Sequence, residues 1–130
     1  MSIFFDSIQH QTSVNVSQLC IGLDTDPNKI PQILKNDPDP IFSFNREIID
    51  ATHDLVCCYK PQIAYYAAVG AEKSLEMTMQ YIRDKGIPIL LDSKRGDIGS
   101  TAEMYVEEAF ERYGADAVTI NPYMGMDSME

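Results

Sequence analysis

The sequence predicts an α/β fold of the parallel (β/α) TIM-barrel type, here about half a barrel, with four strands in 130 residues. Three observations predict it. Four short apolar runs (QLCIGL, LVCCY, IPILL and AVTI) alternate with longer segments of helical spacing. The runs lack the strict polar alternation of a sheet with one wet face, which suits parallel strands buried on both sides. Their polar ends, Asp24, Lys60, Asp92 and Asn121, recur at roughly 30-residue intervals, the length of one βα unit. A complete barrel of this kind needs about 250 residues. Four units would therefore be a single domain, the N-terminal half of a barrel, with two open sheet edges and one uncovered face. A second copy, a further half or a rearranged packing would have to cover them. Right-handed crossovers require the strands to lie parallel and in sequential order.

Taken in order, residues 2–12 have the spacing of a short amphipathic helix, with Ile3, Phe4 and Ile8 on one face. Residues 18–23 form the first strand and end at Asp24. Pro27, Pro31, Pro38 and Pro40 then hold a polar loop. Residues 41–53 are helical, with Phe44, Ile48 and Ala51 along one stripe. Residues 55–59 form the second strand, which delivers Lys60 and is stopped by Pro61. Residues 62–85 are helical with a possible break at Gly70, and Gly86 suits the position just past the helix end. Residues 87–91 form the third strand. Ser100-Thr101-Ala102-Glu103 has the form of a capping box, with Ser100 as the cap of a helix that runs to Tyr113 and stops at Gly114. Gly96 and Gly99 allow the turn from strand to helix. Residues 117–120 form the fourth strand, ending at Asn121-Pro122.

Composition narrows the function. Hydrophobic residues make up 45% of the chain, enough for a core, and the net charge is −10. Nucleic acid and anionic membranes call for a basic footprint that is missing. No stretch reaches the ~20 apolar residues of a membrane span. The N-terminus lacks the basic start, apolar run and small-residue cleavage site of a secretory signal. Cys20, Cys57 and Cys58 lie in strand segments without a CxxC pair, so buried, reduced thiols and a cytoplasmic location are expected. His10 and His53 stand far apart, without the spacing of metal ligands. A glycine-rich dinucleotide loop is missing, since CIGLDTDP has a single glycine. The scattered methionines and the Tyr65-Tyr66 pair read as packing.

The chemistry concentrates in IPILLDSKRGDIGST, residues 87–101. Ligands sit at the carboxyl edge of a parallel sheet. Asp92 and Lys94, two residues apart, point the same way from a strand. With Asp24 and Lys60 at matching strand ends, two acids and two bases would hold one another ionised. A fixed ammonium among carboxylates can stabilise a developing carbanion and then protonate it. Arg95 reads either as an anion contact or as a solvated strand-end arginine. Thr101 lies one turn beyond Asp97 and can point along with it.

IGLDTDP, FNREIIDATHDLVCCYKPQIAYY, ILLDSKRGDIGST and VTINPYMG, in this order, resemble the longer bacterial-type branch of the orotidine 5′-phosphate decarboxylase family. The D-x-K-x-x-D-I-x-x-T run from Asp92 to Thr101 carries the resemblance most specifically. It implies a (β/α)8 homodimer that converts orotidine 5′-monophosphate to uridine 5′-monophosphate in pyrimidine biosynthesis, without metal or organic cofactor. Lys94 would then donate the proton to C6, and Asp92 would sit against the substrate carboxylate. Lys60 would belong to the same charged network, and Asp24 and Lys60 would contact ribose hydroxyls. Asp97 would join Lys60, Asp92 and Lys94 as a catalytic residue and Ile98 and Thr101 would serve substrate binding, with Asp97 and Thr101 entering the neighbouring subunit's site. The resemblance also implies a further half carrying the phosphate-gripping loops, so the 130-residue chain alone is expected to turn over little or no substrate.

Two other readings follow from the same residues. One is a non-enzymatic half-barrel that dimerises or binds a ligand through its open edges. The other is a magnesium-dependent sugar-phosphate barrel enzyme, whose relatives place a metal-binding carboxylate at the second strand's end. Lys60 stands there instead, and its ammonium would repel the cation.

Overall fold

The computed structural model describes residues 3–126 and 129. Among them, four parallel strands alternate with helices: β1 (Cys20–Leu23), β2 (Cys58–Pro61), β3 (Leu90–Arg95) and β4 (Ala117–Ile120). The strands form two ladders, β1 with β2 and β3 with β4. Parallel bridges from Tyr59 to Ile89 and from Gln62 to Asp92 join them in sequential order. Among the described residues β1 pairs only with β2 and β4 only with β3, which leaves the two open edges expected of a partial barrel.

The first helix, α1 (Ile3–Asn15), runs beyond residue 12 and contains no buried residue, with Ile3 exposed and Phe4 and Ile8 half-buried. The expectation that it begins at Ser2 lies outside the described residues. Asn15 donates to Val56 O at 2.8 Å and Gln11 to Gly86 O at 3.0 Å, so α1 lies across the amino-terminal ends of β2 and β3. Two short 3-10 turns, Pro27–Lys29 and Gln32–Leu34, occupy the proline-rich loop.

Helix α2 (Pro40–Thr52) starts where Asp39 accepts the Phe42 N–H and Pro40 fills the first turn, where its missing N–H costs nothing. Its buried stripe is Ile41, Asn45 and Ile49, one position off the expected one. Phe44 and Ile48 pack at its margin and Ala51 is exposed. The shift follows from Asn45, a polar residue that a hydrophobicity pattern excludes but whose partners bury it completely. Its side chain accepts from Thr25 and donates to Tyr66 Oη at 3.0 Å and Thr78 Oγ1 at 2.9 Å. Tyr66 in turn donates to Leu23 O at 2.9 Å, and burial pushes its hydroxyl up to about 12. This network ties the end of β1 to three helices.

The second strand begins at Cys58 and contains Lys60, rather than ending before it at residue 59. Residues 53–55 instead form the turn that closes α2, which leaves Leu55 52% exposed. Pro61 closes the strand, where a missing ladder donor is tolerated. The expected break at Gly70 separates α3 (Ile63–Ala67) from α4 (Glu72–Asp84). Gly86, at φ 71°, ends α4. Its N–H bonds Arg83 O and the next N–H bonds Ile82 O, a Schellman closure that packs Ile87 beside Ile82. Helices α2 and α4 pack together over Tyr59, Ile89 and Leu91 of the strands, with Ile49, Leu75, Met79 and Ile82 fully buried.

The third strand extends to Arg95 instead of stopping at residue 91, because the chain beyond β4 continues to bond it: Asn121 N–H donates to Arg95 O at 2.7 Å. Gly96 faces Asn121 so closely that a Cβ there would meet its carbonyl oxygen at 2.9 Å. Helix α5 (Gly99–Val106) begins one residue before Ser100, and Ile98 holds the cap position without a side-chain bond. Ser100 is therefore inside the helix, and Asp97 lies outside it, so the one-turn relation between Asp97 and Thr101 does not apply. The helix continues as a π-helical stretch, Glu107–Arg112, and stops at Tyr113 and Gly114. Arg95 is half-buried and already paired, so it is not free for an anion: Glu108 holds it by two bonds of 3.1 and 3.2 Å, and it stacks over Tyr105. Cys57 and Cys58 are buried, but Cys20 is exposed because it opens the edge strand β1.

The Asn45→Leu variant should lose about 2–4 kcal/mol of stability, because Thr25, Tyr66 and Thr78 would each keep a buried polar atom short of a partner. Urea unfolding measures this; an unchanged midpoint would contradict it.

Candidate functional site

The extended segment of β3 brings Asp92 to the carboxyl edge of the strands, beside Lys60 of β2. Asp92 is 6% exposed, and burial alone would push its carboxyl up. Three donors outweigh that. Lys60 Nζ reaches Oδ2 at 2.8 Å, Lys94 Nζ reaches Oδ1 at 2.5 Å, and Thr119 Oγ1 donates to Oδ1 at 2.7 Å. Together they hold the carboxyl well below the usual carboxylate range. The hydrogen bond to Asp92 in turn raises the Lys60 ammonium above its ordinary value, against the effect of its own desolvation, with help from the charge of Asp24. The result is a buried anion with an ammonium on each oxygen, one of them largely open to solvent: the Lys94 side chain is 63% exposed.

Lys94 reaches Asp92 by a route that strand alternation does not describe. The β3–β4 register shifts between Leu91 and Arg95, and Lys94 takes the left-handed conformation at φ 49°. A side chain with a Cβ adopts that conformation only where its surroundings impose it. The ammonium is thereby fixed at one end by the backbone turn and at the other by Asp92.

The remaining expected site residues lie around this cluster without joining its hydrogen bonds. Asp24 is exposed at the end of β1, its side chain folded back towards Gly22. It lines a separate cleft with Thr25, Phe44, Ile48 and Tyr65. Asp97 is half-buried, and its carboxylate accepts the Ile98 N–H at 2.8 Å. Ile98 is 56% exposed, and Thr101 is exposed on the first turn of α5. Among the described residues none of these three bonds to Asp92, Lys60 or Lys94. Sequence reasoning missed Thr119. Its signal was a hydroxyl in the otherwise apolar run AVTI, just before the polar end of the strand.

Such a cluster can do two things. It can hold a negatively charged group of a ligand against the open Lys94 ammonium, and it can deliver a proton from that ammonium to an adjacent atom. Among the described residues no group of three or more His, Cys, Asp and Glu side chains is placed to hold a metal.

The chain is matched over residues 17–130 by the model of the orotidine 5′-phosphate decarboxylase / HUMPS family. An orotidine 5′-phosphate decarboxylase of Cellvibrio japonicus is 57% identical over 130 residues, covering 97% of this chain and 48% of the relative. The protein of the same name from a Janthinobacterium species is 62% identical over 116 residues, covering 88% of this chain and 43% of the relative. The solved structure of Leishmania donovani OMP decarboxylase superposes with a TM-score of 0.78 at 32% identity, over 99% of this chain and 48% of that one. The chain thus spans about half the length of the curated relatives it matches.

The Asp92 geometry fixes a pH dependence. A carboxyl depressed in the folded state adds stability that is present above its unfolded value, about 3.9, and is lost as pH falls through the folded one. Urea midpoints should therefore drop on acidification below about pH 4, and the drop should be shallower in Asp92→Asn. Equal slopes for the two proteins would contradict the assignment.

Proposed function

The chain belongs to the orotidine 5′-phosphate decarboxylase / HUMPS family, and on that footing we propose that it is the N-terminal half of a (β/α)8 enzyme that decarboxylates orotidine 5′-monophosphate to uridine 5′-monophosphate. The observation that carries the reading is the Lys60–Asp92–Lys94 cluster, a buried carboxylate between two ammoniums in the segment that holds the family signature. The bond from C6 to the substrate carboxylate breaks, CO2 departs, and its electron pair remains on C6. Lys94 Nζ gives that carbon a proton and regains one from solvent. Asp92 stands beside the departing carboxylate and holds Lys94 in place. Lys60 completes the charge balance and, with Asp24, meets the ribose hydroxyls. The reaction needs no metal or organic cofactor.

Residues 1–130 act in this reading as one domain, whose open edges are covered by the second half of the barrel. The enzyme is a homodimer in which Asp97 and Thr101 reach the neighbouring site, and Ile98 beside them contacts substrate. The exposure of Thr101 and the separation of both Asp97 and Thr101 from the hydrogen bonds of the Asp92 cluster are in keeping with that role. A cytoplasmic setting suits the three free cysteines.

The test joins this chain to the part of the Cellvibrio japonicus relative that lies beyond the match. The fusion should release CO2 from orotidine 5′-monophosphate, and Lys94→Ala should lower kcat by about 10²–10⁴-fold, the contribution of a positioned proton donor. A folded fusion without turnover, or a Lys94→Ala fusion of undiminished rate, would contradict the proposal.

A further inference from the structure

We infer that Thr119 is the positioning residue for Lys94, holding the lysine's backbone and the acceptor of its ammonium through one hydroxyl. The inference rests on the reading of Lys94 as proton donor for its functional meaning, but its geometry stands without it. Thr119 Oγ1 donates to Asp92 Oδ1 at 2.7 Å and accepts the backbone N–H groups of Ser93 and Lys94 at 3.1 Å each. A hydroxyl has one proton to give and two lone pairs to offer, so its capacity is filled. The same Asp92 oxygen receives the Lys94 ammonium. Thr119 therefore touches both ends of the lysine, directly at the backbone and through Asp92 at the ammonium.

The bond pattern explains why the turn exists. The ladder between β3 and β4 is regular at Leu90 and Leu91, resumes at Arg95, and is interrupted between them. Within the interruption the Thr119 side chain serves as acceptor for the amides of both Ser93 and Lys94. Ser93 Oγ returns a bond to Thr119 O at 3.2 Å, which closes the link between the strands. Valine has the same shape and would suit a strand flanked by Val118 and Ile120, so the position asks for threonine's hydroxyl and not for its bulk. Without the hydroxyl, two amides would lose their acceptor and Asp92 one of its three donors. Lys94 would have less to hold it at φ 49°.

The experiment follows the chain by NMR in three forms: unchanged, Thr119→Val and Thr119→Ser. The groups that face Asp92 are Lys60, Lys94 and Thr119, with Asp24 acting on it through Lys60. In Thr119→Val the Asp92 carboxyl should titrate about one pH unit higher, and exchange protection of the Ser93 and Lys94 amides should fall by about tenfold or more. Thr119→Ser keeps the hydroxyl and should retain both properties. A valine variant with unchanged titration and protection overturns the inference, and so does a serine variant that loses both. Should the valine variant not fold, the unchanged chain decides: a slowly exchanging Thr119 hydroxyl proton close to Asp92 supports the assignment, and a freely exchanging one overturns it. None of these readouts uses a substrate, so an error in the proposed reaction leaves them intact. An error about Thr119 likewise leaves the Lys94→Ala effect intact.

Discussion

A carboxylate that is almost out of water must be compensated on every side, and the site is organised around that requirement at Asp92. The interior does not tolerate an ionised carboxylate without partners. Here its two oxygens take three donors from three different strands: Lys60 of β2, Lys94 of β3 and Thr119 of β4. The compensation therefore depends on the parallel order of the sheet. Sequential strands set neighbouring residues beside Asp92 from both directions, and the bridge from Gln62 to Asp92 aligns β2 with β3 at that level.

The apolar core serves the same arrangement from below. Tyr59, Ile89 and Leu91 are fully buried immediately before the polar strand ends, and α2 and α4 seal them. The Thr25–Asn45–Tyr66–Thr78 network fixes the end of β1 to those helices, near the exposed Asp24. Rigid strands thus carry a polar edge, and the irregular segment of β3 lies where the chemistry is proposed. The left-handed Lys94 and the interrupted ladder are local costs of order 1–3 kcal/mol that packed surroundings can hold.

Periodicity and the polar strand ends made the parallel, sequential order legible, and residues 117–120 needed no adjustment. The differences have specific causes. Asn45 hid the buried stripe of α2, because its burial depends on partners distant in sequence. Leu55 looked like strand but sits in the turn after α2. The capping-box pattern at Ser100 is not used, since α5 begins at Gly99 with Ile98 at the cap position. For the site, the grouping of Lys60, Asp92 and Lys94 was legible from their places at strand ends. That Lys94 turns back through a left-handed residue was not, since the bulge arises from pairing with β4. Thr119 gave only a weak signal for the same reason: a threonine in a strand is an ordinary choice until the opposite backbone is known.

The proposed reaction removes a carboxylate at this cluster and protonates the carbon left behind. The most direct measurement follows the atoms, using orotidine 5′-monophosphate labelled in its carboxyl group, in D2O, with the chain completed by a relative's second half. The label should leave as CO2, and one deuterium should appear at C6 of the product. Label retained on the pyrimidine, or released without deuterium at C6, would contradict it.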